Sequence, residues 1–262
     1  VSGNDLGPAL AAALDRRLLR CARLVADTGQ DAGTVVHGVR KDLKRVRALL
    51  RLATDAGADA TEFELACARI ARALSRRRDA DAVLEALDRL AARVSDPGDA
   101  CLVAEARRHL HVQAGKGGDL DREVVRAELL RIRRLVRDLD LSSLKSGKIE
   151  NALAVTVTSA RSLTARLESR PRAKRFHALR KAVKRELHQR DWLTRRFPGS
   201  GKGRKRLKQL ATLLGENQDI SVLKAFLRDE GLHKGRLKQL VNAERDRIRA
   251  AALKIARGLY QE

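Results

Sequence analysis

Aromatic side chains are scarce in this chain: four Phe, one Tyr and one Trp among 262 residues. A platform of several rings for stacking bases is therefore excluded as its organising feature. Cysteine is limited to Cys21, Cys67 and Cys101, too few and too scattered for a disulfide framework. Each reads as a small apolar residue in a helical pattern, and a reducing compartment is expected. Proline occurs only at 8, 97, 171 and 198, each time beside a break in helical periodicity, where a missing N–H costs least. No apolar run approaches the ~18 residues that cross a bilayer, and Val1 to Pro8 lacks the basic-then-apolar order of a signal peptide. No membrane partner and a cytoplasmic location follow as expectations. Methionine is absent, which fits either a start at another codon or a segment cut from a longer chain.

Negative charge is also in short supply. Against 56 Lys and Arg stand 33 Asp and Glu, leaving +23 and a pI near 11.1. Residues 1–140 hold 26 basic and 22 acidic side chains, and residues 141–262 hold 30 and 11, so the second half carries most of the field. Such a surface attracts polyanions.

What the chain does have is helix-forming material. Apolar residues make up 44%, dominated by Ala and Leu, the side chains that fill helix seams rather than sheet faces. Apolar positions recur at steps of three and four, and Val155 to Thr158 alternates only briefly inside such a pattern. An all-α fold is predicted, with eleven helices near 7–28, 32–54, 60–77, 79–94, 98–113, 119–139, 145–169, 173–197, 203–215, 219–230 and 234–259.

The chain also repeats itself. His37, Arg40, Lys41, Lys44 and Arg45 return as His177, Arg180, Lys181, Lys184 and Arg185, and Leu74 and Asp79 return as Leu214 and Asp219, always displaced by 140 residues. Seven matches without a gap predict a duplicated, pseudo-symmetric helical bundle, with residues 1–140 as the first repeat and 141–262 as the second. Helical geometry puts His37, Arg40, Lys44, Arg47 and Arg51 on one stripe about 21 Å long, beside an apolar face of Val39, Leu43, Val46 and Leu50. His177, Arg180, Lys184 and Arg195 form a comparable stripe, flanked by Lys181 and Arg185, although Leu187 and Asp191 answer Arg47 and Arg51. Like charges four residues apart destabilise a helix, so the concentration predicts a counter-charge supplied from outside. A phosphate chain would supply it.

The segments His37-Gly-Val-Arg40-Lys41-Asp-Leu-Lys44-Arg45-Val-Arg47 and His177-Ala-Leu-Arg180-Lys181-Ala-Val-Lys184-Arg185, each followed by Asp79 or Asp219, resemble the CHAD domain, a histidine-containing α-helical domain. The resemblance covers nearly the whole chain. It implies two pseudo-symmetric four-helix bundles with a basic cleft or pore between them, binding of inorganic polyphosphate there, and association with polyphosphate granules. It also implies frequent fusion to a triphosphate-handling CYTH domain, which this chain lacks.

Other readings are weaker. His37 and His177 lie within a turn of several cations and have no Cys, Asp or Glu at ligand spacing, so neither a metal nor any cofactor is expected. No nucleophile with its base is legible, so the chain is expected not to be an enzyme. His109, His111, His188 and His233 read as surface or packing residues. Asp79 and Asp219 read as helix N-caps, or as carboxylates that orient a basic side chain. The basic connector at 199–206 fails as a phosphate-binding loop because Gly203 follows Lys202, yet Lys202, Arg204 and Lys205 remain candidate contacts. The competing ligand class is nucleic-acid backbone bound without regard to sequence.

Overall fold

The computed structural model describes residues 6–114, 121–197 and 203–261, and the side chains of these apart from 75–81 and 111–114. Ten α-helices and no strand occur among the described residues: α1 (Leu6–Ala26), α2 (Ala32–Asp55), α3 (Thr61–Ala73), α4 (Ser75–Ala91), α5 (Pro97–Ala114), α6 (Arg122–Arg137), α7 (Ser146–Ser169), α8 (Ala173–Leu193), α9 (Arg204–Asp229) and α10 (Gly235–Tyr260). The all-α class stands, but two of the eleven expected helices are one. No break separates 203–215 from 219–230, because Asn217 is buried and accepts a 2.9 Å hydrogen bond from Arg249 of α10. A polar residue satisfied in this way carries a helix onward rather than ending it.

Local chemistry sets the helix starts. Asp31 and Asp121 sit in extended backbone before α2 and α6, and their carboxylates accept the Thr34 and Val124 N–H groups at 3.0 Å. Such caps contribute about 1 kcal/mol each.

The chain forms two compact units, neither of them a continuous stretch. Unit 1 comprises Val1–Ser75, Asp119–Ala160 and Ala182–Arg204. There α1 packs on α6 and α2, and α2 on α3. Leu10, Leu14 and Leu18 of α1, Leu129 and Ile132 of α6, and the predicted apolar face of α2 (Val39, Leu43, Val46, Leu50) are all sealed from solvent. Each such side chain contributes roughly 1.5–3 kcal/mol of burial. At the start of α1, Gly7 lets the backbone approach the carbonyl of Leu141, which a Cβ would strike.

Unit 2 comprises Arg76–Gly118, Arg161–Lys181 and Lys205–Glu262. Its core joins Val83, Leu87 and Leu90 of α4 and Val103 and Leu110 of α5 to Leu223 and Leu227 of α9 and Val241 and Ile248 of α10. The residues of α7 and of α8 are divided between the units, at Ala160/Arg161 and at Lys181/Ala182.

Adding 140 to α1, α2 and α5 gives 146–166, 172–195 and 237–254, against α7 at 146–169, α8 at 173–193 and α10 at 235–260. The span of α3 and α4 likewise becomes 201–231, against α9 at 204–229. The helices correspond in order, but α9 is one helix where α3 and α4 are two, α10 is longer than α5, and α6 has no counterpart. The compact units do not coincide with the two sequence halves, since α4 and α5 join α9 and α10.

Candidate functional site

On α2 the buried apolar face turns the motif outward. His37 and Lys41 are exposed, while Arg40, Lys44, Arg45, Arg47 and Arg51 are half-buried. Arg40 donates to the Ala71 carbonyl at 2.6 Å, which ties α2 to the last turn of α3. The next three arginines depart from expectation. Arg45 pairs with Asp42 at 2.9 Å, Arg47 with Glu64 at 3.5 Å and Arg51 with Asp55 at 2.8 Å. The hydrogen bond to Asp55 holds the Arg51 pKa above its ordinary value. For these three the counter-charge comes from the protein itself. Asp42 and Asp55 lie in α2 itself, and Glu64 lies in the first turn of α3.

On α8, His177 and Lys181 are exposed and Arg180, Lys184 and Arg185 are half-buried. Gln218 of α9 orients His177, whose Nδ1–H donates to Oε1 at 2.7 Å. Of these five residues, His177, Arg180 and Lys181 belong to unit 2, and Lys184 and Arg185 to unit 1. Within unit 1 the motif helices touch: Gln189, fully buried, donates to the Ala48 carbonyl at 3.1 Å. Burial, and then repulsion from Arg51, push the Arg185 pKa down, with Glu64 and Asp55 opposing. Arg47, Arg51 and Arg185 with their carboxylates therefore form one half-buried charge cluster.

Neither aspartate is an N-cap. Asp219 lies in the middle of α9, where it accepts from Arg89 at 3.0 Å. Asp79 lies inside α4, which starts at Ser75, and its side chain is outside the described residues. Both N-cap readings failed because the helices begin earlier than the aspartates suggest. Lys202 is also outside the described residues, Arg204 pairs with Asp191 at 2.6 Å, and Lys205 is exposed. Cys21 and Cys67 are buried, and burial pushes both thiols up to about 12, whereas Cys101 is exposed rather than packed. His109 meets Glu230 at 2.8 Å. No group of three or more metal-ligating side chains occurs among the described residues, and no helix there is long and apolar enough to cross a membrane.

Asp42 escaped the sequence reading, and His188, read there as a surface or packing residue, is a titrating one. Asp42, inside the first motif but answered by Ala182 in the second, is buried and gathers Arg17, Arg20 and Arg45. His188 is largely buried, and burial first, then Arg45, lower its pKa to about 4. The unfolded chain protonates this ring near its ordinary 6.5, whereas the folded chain resists until about 4. Stability is therefore complete above the unfolded value and falls as pH drops through that interval, by about 3 kcal/mol in all. Urea unfolding of wild type and His188→Gln at pH 7 and pH 4.5 checks this. The wild type should lose more stability than the variant on acidification, and equal losses would contradict it.

The comparisons with known proteins agree with one another. A family model, CHAD domain, matches residues 8–228. A crystal structure of the CHAD domain from the plant Ricinus communis superposes with a TM-score of 0.64 at 19% identity, covering 98% of this chain and 91% of that one. No curated protein matches the chain.

Proposed function

Because this chain belongs to the CHAD domain family, we propose that it binds inorganic polyphosphate without catalysis, in a basic cleft lined by α2 and α8. His37, Arg40, Lys41 and Lys44, with His177, Arg180, Lys181 and Lys184, are the contacts. Arg45, Arg47, Arg51 and Arg185 hold the surrounding charge in place, and Arg204 and Lys205 extend the path. In this reading the protein works in the cytoplasm and collects at polyphosphate granules.

One observation carries the choice of a bare phosphate chain over nucleic acid. None of the six aromatic rings is exposed. Two of them also have an arginine over the ring, Arg196 at 4.4 Å from the Trp192 centroid and Arg249 at 4.7 Å from that of Phe176. Bases would find no ring to stack on, whereas phosphates need only the cations. Binding rather than turnover is favoured by the partner of His177. A neutral amide orients that ring, and an amide does not raise the basicity of the far nitrogen as a carboxylate would.

Competition at physiological salt between long polyphosphate, single-stranded DNA and RNA tests the reading. Polyphosphate should displace both nucleic acids at equal phosphate concentration. Displacement in the opposite sense would assign the surface to nucleic-acid backbone.

A further inference from the structure

Unit 1 contains a cavity of about 500 Å³ walled by α1, α2 and α8 with the turn that follows, a volume typical of small-molecule sites. Six arginines line it: Arg16, Arg17, Arg20, Arg45, Arg195 and Arg196. Of these only Arg45 belongs to the repeated motif. Against them stand Asp191 in the wall and Asp42 behind it, so positive charges exceed negative by four. The arginines repel one another: after burial, Arg45 is the next influence lowering the Arg17 pKa, and Arg16 and Arg195 do the same to Arg196. A second observation is independent of charge. Trp192 lines the cavity at 6% exposure, and its buried indole N–H has no hydrogen-bond partner; the Nδ1 of His188 in the same wall has none either.

We infer that this cavity is a separate site for a short inorganic oligophosphate, either free triphosphate or the terminal segment of a longer chain. Phosphate density is what the wall recognises. Guanidinium groups bind phosphate oxygens in bidentate fashion, and several converging on one cavity select a ligand with many such oxygens in a small volume. A nucleotide base has no indole face to stack on here, because Trp192 is buried beneath Arg196. Lodging a phosphate would relieve the mutual repulsion of the arginines. The inference shares with the proposed function only the class of ligand.

Trp192, the only tryptophan of the chain, is a built-in reporter of occupancy. Inorganic triphosphate titrated into the full chain should change its emission saturably, with one ligand per chain. Arg16 and Arg195 are exposed and have little part in the core, so the Arg16→Ser, Arg195→Ser variant should fold and bind about 100-fold more weakly. Circular dichroism confirms that it folds. Two arms separate the sources: chains of different length matched by chain ends, and the same chains matched by total phosphate. Emission that tracks ends assigns the cavity to chain termini, and emission that responds to triphosphate but not to long chains assigns it to the free ion. An unchanged emission up to millimolar triphosphate, or equal affinity in the folded variant, overturns the inference. The proposed function is tested apart from this, by Lys41→Glu, Lys181→Glu. If that variant loses long-chain binding and keeps the triphosphate response, both readings stand. If long polyphosphate fails to bind even the wild type while triphosphate binds, the cavity stands and the proposed function falls.

Discussion

Reversing Lys41 and Lys181 together to glutamate weakens binding of long polyphosphate about 100-fold at physiological salt, while Arg126→Glu, Arg134→Glu changes it by less than about threefold. All four side chains are exposed, so neither variant should disturb folding, and both lower the net charge of +23 equally. The difference isolates position from total charge. At physiological ionic strength the Debye length is about 8 Å, so a distant cation contributes little to a bound phosphate. A reversed motif lysine loses one charge-assisted contact and adds a repulsion at the same point. Isothermal titration with each variant decides it, and matched losses would reduce the protein to a cationic surface with no site. Arg131 and Arg133 would be poor controls, since they are tied to Glu128 and to Asp15, and reversing Arg133 would also destabilise unit 1.

Replacing Asp42 with alanine lowers the stability of the chain by about 3 kcal/mol, the cost typical of removing one side of a buried ion pair. Its side chain is 3% exposed, and its carboxylate is shared by Arg17 and Arg45 at 2.9 Å and Arg20 at 3.5 Å. Without it, the half-buried Arg17 and Arg45 lose their shared counter-charge, with the exposed Arg20 beside them. The conservative Asp42→Asn change restores an acceptor but not the charge, so it should recover only part of the loss. Adding inorganic phosphate should recover more, because an anion bound to the folded state stabilises it by mass action. Urea midpoints with and without phosphate give the answer, and a variant as stable as wild type would show that the arginines need no internal counter-charge.

Much of the fold was legible because helical periodicity is local. Val39, Leu43, Val46 and Leu50 read as an apolar face and are buried as one. The errors share a cause. Asn217 looked like part of a break because the sequence does not show Arg249 of α10 reaching it. Leu74, not a residue near 78, separates α3 from α4, in a stretch where polar residues on either side blur the boundary. The candidate site was legible where it repeats, at His37 to Arg45 and His177 to Arg185. It was misread where carboxylates from elsewhere answer it, as Glu64 does for Arg47. The arginine cavity gave no sequence signal. Arg16 on α1, Arg45 on α2 and Arg195 in the turn after α8 are separated in sequence, and only packing brings them to one wall.

The contrast among the three cysteines makes the chain its own clock. The thiolate is the species that alkylating reagents attack, and Cys21 and Cys67, whose pKa values burial drives to about 12, offer almost none of it at neutral pH. Both lie in unit 1, on α1 and α3, whereas the exposed Cys101 lies on α5 in unit 2. A brief pulse of iodoacetamide therefore marks the native chain once, and the second and third adducts accumulate only as fast as unit 1 opens. Mass spectrometry of the adduct count then yields an opening rate for the half of the molecule that holds the arginine cavity, with no introduced label, and any ligand seated there should slow it.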